Sequence, residues 1–594
     1  MLEFLPLLAE TATSSKPGIG TMVALVIFIA ASVWLGTLAQ KVVSKGSFVK
    51  GFFLGNRGLG AWAVALTATV QSGGTFMGFP SLVYSYGWIV ALWIGSYMVV
   101  PITGFGIVGK RIAQISRKTG AITMPDLFRE RFQSPTLGLV TSLLIILFMT
   151  SMMVAQFKAG ATVMKIAWPG SGFLSFSEDA GPEVKTPAVD EAKLTSLERV
   201  AAWWKSADKA YLFGLAIFSV TVIGYTLIGG FLAAVWTDLF QSVMMFIGVL
   251  LLLGLSLYAV GGLENASRKS IANVQAAAEK AAAEKAAKTG TVPESVSPNM
   301  GARLASGPGY PKKDRTFLPL SLAFSFFLFW PACGFASPAS VTRIMACKDT
   351  ATLRRSILLL CIYNLGIYLP LICICMCARA TPGMDDLAKS DEVIPRMAIM
   401  TTKQLFGGEL ISGLILAAPF GAIMATVSSY LVVISSGIVR DVYQRFIRPD
   451  ASERDLKRMA QLGMIVVGLL AVALNIRPVD YLQTLVVFSS GGAGASFVFP
   501  CLMLCYWRRA TAPGVLAAML SGGLTVLAFY IAGPFTKDAM IAGSPDFRPY
   551  YLLGIEPMLW GTAVSVVLGI SVSLCTQPPA EKHVSSLFDA EPAK

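Results

Sequence analysis

Apolar runs of about twenty residues, separated by short polar stretches, set the pattern of this chain. Met22–Gln40, Trp88–Val108, Leu137–Gln156, Ser242–Val260 and Met459–Leu474 contain no charged residue. An α-helix needs about 20 residues to cross about 30 Å of hydrocarbon. Extended along the chain, the pattern predicts thirteen helices at approximately 20–40, 60–86, 88–110, 135–163, 211–228, 232–261, 316–344, 356–378, 410–438, 459–476, 481–506, 513–533 and 554–575. The fold class is therefore an all-α polytopic membrane protein.

Two of these helices are interrupted, the second at Gly73, Gly74, Gly78 and Pro80, the seventh at Pro331, Gly334 and Pro338. A break in a membrane helix frees backbone amides and carbonyls that lipid cannot satisfy, so it persists only inside protein or beside a polar cavity. Each broken helix opens a group of five, and because five is odd the groups are inverted relative to each other. Such paired breaks point to a transporter binding site. An ordinary proline kink is the alternative, since Gly and Pro are common in membrane helices.

Composition agrees: 55% of the 594 residues are hydrophobic and 14% charged, with a mean hydropathy of +0.65. The net charge of +14 is no sign of nucleic acid, because the basic residues gather in alternate loops. These are Lys41–Arg57, Lys110–Lys118, Arg343–Arg355, Arg440–Arg458 and Arg508–Arg509. The positive-inside rule makes that face cytoplasmic, with the N-terminus outside and the C-terminus inside a cell membrane. The nine cysteines lie in or beside apolar spans, as packing residues do, and Cys373, Cys375 and Cys377 are spaced too closely to share a helix face. A single histidine, His583, and the lack of a Walker-type phosphate loop argue against an enzyme or an ATP-driven pump.

The expected organisation is an outer N-terminal segment (1–19), a peripheral first helix and loop (20–59), a first repeat (60–261) with an outer insertion at 169–209, and a second insertion at 262–315. A second repeat (316–506), two peripheral helices (507–575) and a cytoplasmic tail (576–594) follow. The second insertion contains Ala276–Lys285, whose composition is that of a solvated helical spacer.

Candidate chemistry is sparse. In the ninth helix Ala422, Thr426 and Ser429 form a stripe of one small residue and two hydroxyls, the kind of oxygen donors a sodium ion takes; hydroxyls that bond back to their own helix are the alternative. Asp238, near Thr237 and Gln241, is an acid within a span and so a functional candidate.

Several separated segments carry a family resemblance. They are Phe53–Gly58, Phe76–Pro80 with Tyr86-Gly87, Tyr225–Gly230 with Trp236–Gln241, Arg343–Asp349, and Ser435-Ser436 ahead of Arg440–Tyr443. With these, residues 20 to 530 resemble the sodium:solute symporters. Val393–Met397, Leu416–Pro419 with Ala422–Met424, and Tyr506–Ala510 suggest the pantothenate-type branch. The resemblance implies a LeuT-type five-plus-five inverted repeat with one extra N-terminal and two extra C-terminal helices. It implies sodium-coupled symport of a small polar organic solute, with sodium as coupling ion and no other cofactor. Proton-coupled or uncoupled transport on the same fold, or a transporter-like sensor, remain alternatives. By position, sodium would lie among Ala68, Gln71, Ala422, Ala425, Thr426 and Ser428, with Asp238 by its exit path. Solute would sit near Ser72, Thr75, Trp330, Cys333, Ser489 and Ser490. Three positions depart from the family pattern: Ala425 where a Ser is common, Val70 where some members carry an acid, and Ala339 where pantothenate-type members usually show His.

Overall fold

The computed structural model describes residues 17–43, 59–68, 72–168, 208–289, 300–307, 319–384, 389–478, 482–536 and 547–589, with isolated positions between them. Helices account for nearly all of this, and the one β-bridge among the described residues joins Leu59 to Cys347. Twelve helices among the described residues are long and apolar enough to cross a membrane. They correspond to the first and the third to thirteenth helices expected from the apolar pattern. The second is present as pieces, Ala61–Ala68 and, beyond residues 69–71, a π-turn at Gly74–Gly78 leading into Phe79–Tyr86.

Helical bonding runs without a stop from Lys209 to Val260, yet this run makes two passes. Going up its first part, Phe218 packs edge-on to Phe420 and the Tyr225 hydroxyl donates to the Met424 carbonyl at 3.0 Å. Beyond the turn Asp238 meets Ser429, and Gly248 then lies against Ala418. The partner positions on the Gly408–Ser436 helix rise and then fall, so the chain descends and returns. Small residues permit this closeness: a Cβ on Gly248 would lie 2.8 Å from that of Ala418. Gly408–Ser436 is the axis of the fold, flanked by Lys209–Val260, Ile19–Val43 and Pro135–Ala167.

Four of the basic loops share one face; residues 44–58, which carry most of the first, lie outside the described residues. Arg117 donates to the Cys347 and Lys348 carbonyls, Arg445 pairs with Asp126, Tyr506 reaches the Ile107 carbonyl, and Arg508 pairs with Asp589. Arg343 corrects the charge pattern. It belongs to the Pro338–Ala346 helix and is 2% exposed, so it is no loop charge.

The second insertion is more than a spacer. Its Leu263–Thr289 helix docks on the Thr350–Ala380 helix, where Ser270 donates to the Met376 carbonyl at 2.9 Å and Asn273 to that of Arg379 at 3.1 Å. The following turn closes on Gly87, whose φ of +74° and 2.1 Å separation from the Leu304 carbonyl, measured from a built Cβ, admit only glycine. The alanine-rich stretch beyond is mostly exposed, as its composition suggests. The first insertion, at 169–207, lies outside the described residues.

Candidate functional site

Both helix interruptions open on the same place. Ser72 is not helical, and the amides that start the next helix would be orphaned. The chain satisfies them locally: Gly73 N–H donates to Gln156 Oε1 at 2.7 Å, Gly74 N–H to Ser72 Oγ at 3.1 Å, and Thr75 N–H to the Ser72 carbonyl at 2.9 Å. The second break is a single extended residue, Ser337, between Leu320–Ala336 and Pro338–Ala346. Pro338 suits the first helical position because its missing N–H would be unpaired there anyway. Pro331 and Gly334, expected to contribute to the break, stay within the first of these helices.

Between the breaks lies a cavity of about 100 Å³. All six solute candidates, Ser72, Thr75, Trp330, Cys333, Ser489 and Ser490, line it. They are joined by Trp93, Tyr97, Tyr368, Tyr430 and Gln483, which the sequence reading did not single out. Tyr97 stands between Tyr368 and Trp330, with ring centroids 4.2 and 4.8 Å away, and Trp93 lies 5.7 Å from Trp330. The Tyr368 and Thr75 hydroxyls are 3.1 Å apart, which ties this aromatic wall to the first break. Cys333 donates to the Ser490 carbonyl at 3.3 Å, and Ser489 to that of Phe148. Trp330 Nε1 and Gln483 Oε1 are buried without a hydrogen-bond partner. Buried polar groups are normally paired, so these two are open to a solute. No charged side chain lines the cavity among the described residues.

Charge is concentrated next to it. Asp238 and Arg343 form an ion pair at 2.9 Å with both side chains 2% exposed. Arg343 also donates to Ser429 Oγ at 2.6 Å, to Thr67 Oγ1 at 3.1 Å and to the Ala339 carbonyl at 3.4 Å. One guanidinium thus joins both broken helices, the returning pass of Lys209–Val260 and the ninth helix. Nothing in the apolar pattern pairs Asp238 with Arg343. A signal was available: Arg343 is the sole charge in Pro338–Ala346 and lies six residues past Ser337.

The sodium candidates on the ninth helix lie beside the same joint. Ala422, Ala425, Thr426 and Ser428 are buried on the Gly408–Ser436 helix. That helix does face the first break, since Ile423 lies 3.3 Å from a Cβ built on Gly73. The Thr426 and Ser428 hydroxyls bond back to the carbonyls of Ala422 and Ala425 at 2.9 and 3.0 Å. Ser429, the third member of the stripe, serves the ion pair instead. Ala68 is the last residue of its helix, and Gln71 and Val70 lie outside the described residues. Asp126, Asp391, Glu392, Asp441 and Glu556 are buried as well.

Comparison with known proteins fits this geometry. The sequence model of the sodium:solute symporter family matches residues 52–169 and 206–522. Similar proteins include the sodium/pantothenate symporter of Haemophilus influenzae, 27% identical over 85% of this chain and 89% of that one. The osmoregulated proline transporter of Bacillus subtilis is 26% identical over 94% of this chain and 96% of its own. Among solved structures, a Na+-coupled sialic acid symporter with the LeuT fold superposes with a TM-score of 0.64, covering 94% of this chain and 98% of its own at 19% identity. The fold is therefore of the LeuT type, and its helices make this a multi-pass membrane protein. With its family's sequence signature spanning most of its length, the chain belongs to the sodium:solute symporter family, and it is a sodium-coupled symporter rather than an enzyme.

Proposed function

We propose that this symporter carries a small polar organic solute through the cavity between Ser72 and Ser337. The observation that supports this most directly is that both helix breaks and all six solute candidates meet on one cavity. Its walls suit a solute with a flat or apolar body and a few hydrogen-bonding groups. Trp93, Tyr97, Trp330 and Tyr368 offer ring faces, and Trp330 Nε1 and Gln483 Oε1 offer one donor and one acceptor.

Sodium is assigned to the joint between the end of Ala61–Ala68, Gln71 and the Ala422, Ala425, Thr426 and Ser428 face. Hard carbonyl and hydroxyl oxygens there would replace its hydration shell. Asp238, already paired with Arg343, adds no net charge, so sodium would rely on those neutral donors. Ala425 supplies no side-chain oxygen. The repeats 60–261 and 316–506 would rock around the site, with the basic face cytoplasmic and the protein in the cell membrane.

The test is uptake of a solute panel into proteoliposomes under an inward sodium gradient, compared with an equal potassium gradient. Sodium-stimulated accumulation of one solute, reduced by Trp330→Ala and by Thr426→Ala, is the expected result. Accumulation that follows a proton gradient and ignores sodium would sink the ion assignment. Sodium-driven uptake indifferent to Trp330 and Cys333 would sink the solute assignment.

A further inference from the structure

The Glu581–Phe588 helix lies across the face that carries the basic loops, and it is held there by an unusually complete set of contacts. Val584 and Leu587 are buried. Lys118 Nζ donates to the carbonyls of Ser586, Leu587 and Asp589 at 3.0, 3.4 and 2.8 Å, so a cation caps the helix where its dipole is negative. The Asp589 carboxylate pairs with Arg508 at 2.5 Å. The Phe588 ring lies among three guanidiniums, those of Arg131, Arg508 and Arg111, at 5.0, 5.4 and 6.0 Å. His583 Nε2 is 3.2 Å from the Arg131 carbonyl, and its Nδ1 is 3.3 Å from Gln133 Nε2.

The socket beneath is costly to keep. Arg131 is fully buried, with Nε and Nη1 lacking hydrogen-bond partners. Burial pulls its guanidinium down to about 10. Gln133, which ends the Met124–Phe132 helix, has a φ of +50°. Clustered cations with unmet hydrogen bonds are what an anionic, aromatic peptide end complements.

The socket's parts come from separate regions. Arg111 and Lys118 belong to the end of the Gly95–Thr119 span, Arg131 and Gln133 to the connecting helix, and Arg508 to the turn after Leu482–Tyr506. In a transporter whose two repeats rock against each other, Arg508, two residues past the last helix of the second repeat, must shift relative to Arg111, Lys118, Arg131 and Gln133 of the first whenever the cavity opens on this face. A ligand seated on all three favours the state in which they are together.

We propose that this socket is an intramolecular binding site for segment 581–589, and that its occupancy latches this face closed and slows opening of the cavity. Phe588 and Asp589 are the anchor, and Lys118 is the clasp. The latch governs access and takes no part in solute recognition.

Cys333 in the cavity wall makes the test independent of the solute. In a chain retaining Cys333 as its one cysteine, the labelling rate is measured for a membrane-impermeant maleimide applied on the side that carries segment 581–589. Phe588→Ala with Asp589→Asn should raise that rate by about fivefold or more, the lower range for coupled sites. Lys118→Gln, a change outside the segment, should act in the same direction. A synthetic peptide of residues 577–594 added to the double variant should return the rate toward the parent value. Parent-like labelling in both variants would overturn the proposal. So would faster labelling that the peptide does not reverse, since that would mark a loosened fold rather than an emptied socket.

Discussion

The two halves of the seventh helix do opposite things. Leu320–Ala336 turns Trp330 and Cys333 to a cavity without a charged wall, whereas Pro338–Ala346, one residue further on, buries Arg343 against Asp238. The upper half leaves hydrogen-bonding capacity unspent, at Trp330 Nε1 for example, while the lower half uses its guanidinium on Asp238, Ser429, Thr67 and Ala339 at once. The contrast separates recognition from integrity. A surface meant to bind and release a solute keeps weak, unfilled valences, and a node meant to hold four helices in register fills them. The break at Ser337 is where one task gives way to the other.

If that division is right, the heaviest loss comes from the node. Arg343→Gln leaves the Asp238 carboxylate buried without its counter-charge, a change that costs about 3–5 kcal/mol when one partner of a buried pair is removed. The purified variant should melt well below the parent in detergent, and sodium-driven uptake should vanish. Asp238→Asn should cost less, because Arg343 keeps Ser429, Thr67 and the Ala339 carbonyl. The double variant should be more stable than Arg343→Gln alone, since neither charge is then stranded. Melting points that simply add would show that the two residues do not act as a pair.

Trp330→Ala comes next, and it should affect a different quantity. Losing a ring at the centre of the aromatic wall should weaken solute binding by about 2 kcal/mol, roughly thirtyfold in half-saturating concentration. Melting should move far less than for Arg343→Gln. A variant with unchanged half-saturation but a collapsed melting point would reverse the assignment of the two halves.

What the sequence could and could not show follows the same line. The helices were legible because apolar length is a one-dimensional property. The breaks were legible because Gly and Pro mark them, whereas the cavity residues Ser72, Thr75, Trp330, Cys333, Ser489 and Ser490 came by position from the family resemblance. Tyr97, Tyr368 and Trp93 were not, because aromatic residues are common all through membrane helices and only packing shows which of them converge. Arg343 was misread for a related reason. A charge near the end of an apolar run looks like a loop charge until the break before it is seen to shift the helix end inward. The docking of Leu263–Thr289 was hidden by its composition, since only Ser270, Asn273 and their neighbours meet the membrane helices.

The smallest predicted effect tests the boundary itself. Ala339 lines the cavity with its side chain and accepts from Arg343 with its carbonyl, so it belongs to both regions at once. It is also a position where pantothenate-type members usually carry His. Ala339→His leaves the backbone acceptor in place and adds an imidazole to the cavity wall. Stability should therefore change little, whereas selectivity should move by roughly tenfold or less, the scale on which a modest change in a pocket discriminates between solutes. Competition by the other solutes of the panel against sodium-driven uptake of the one carried would measure it, with a changed order of competition expected in the variant. If competition is unchanged while the melting point falls, residue 339 serves the ion pair alone, and the recognition surface ends above Ser337.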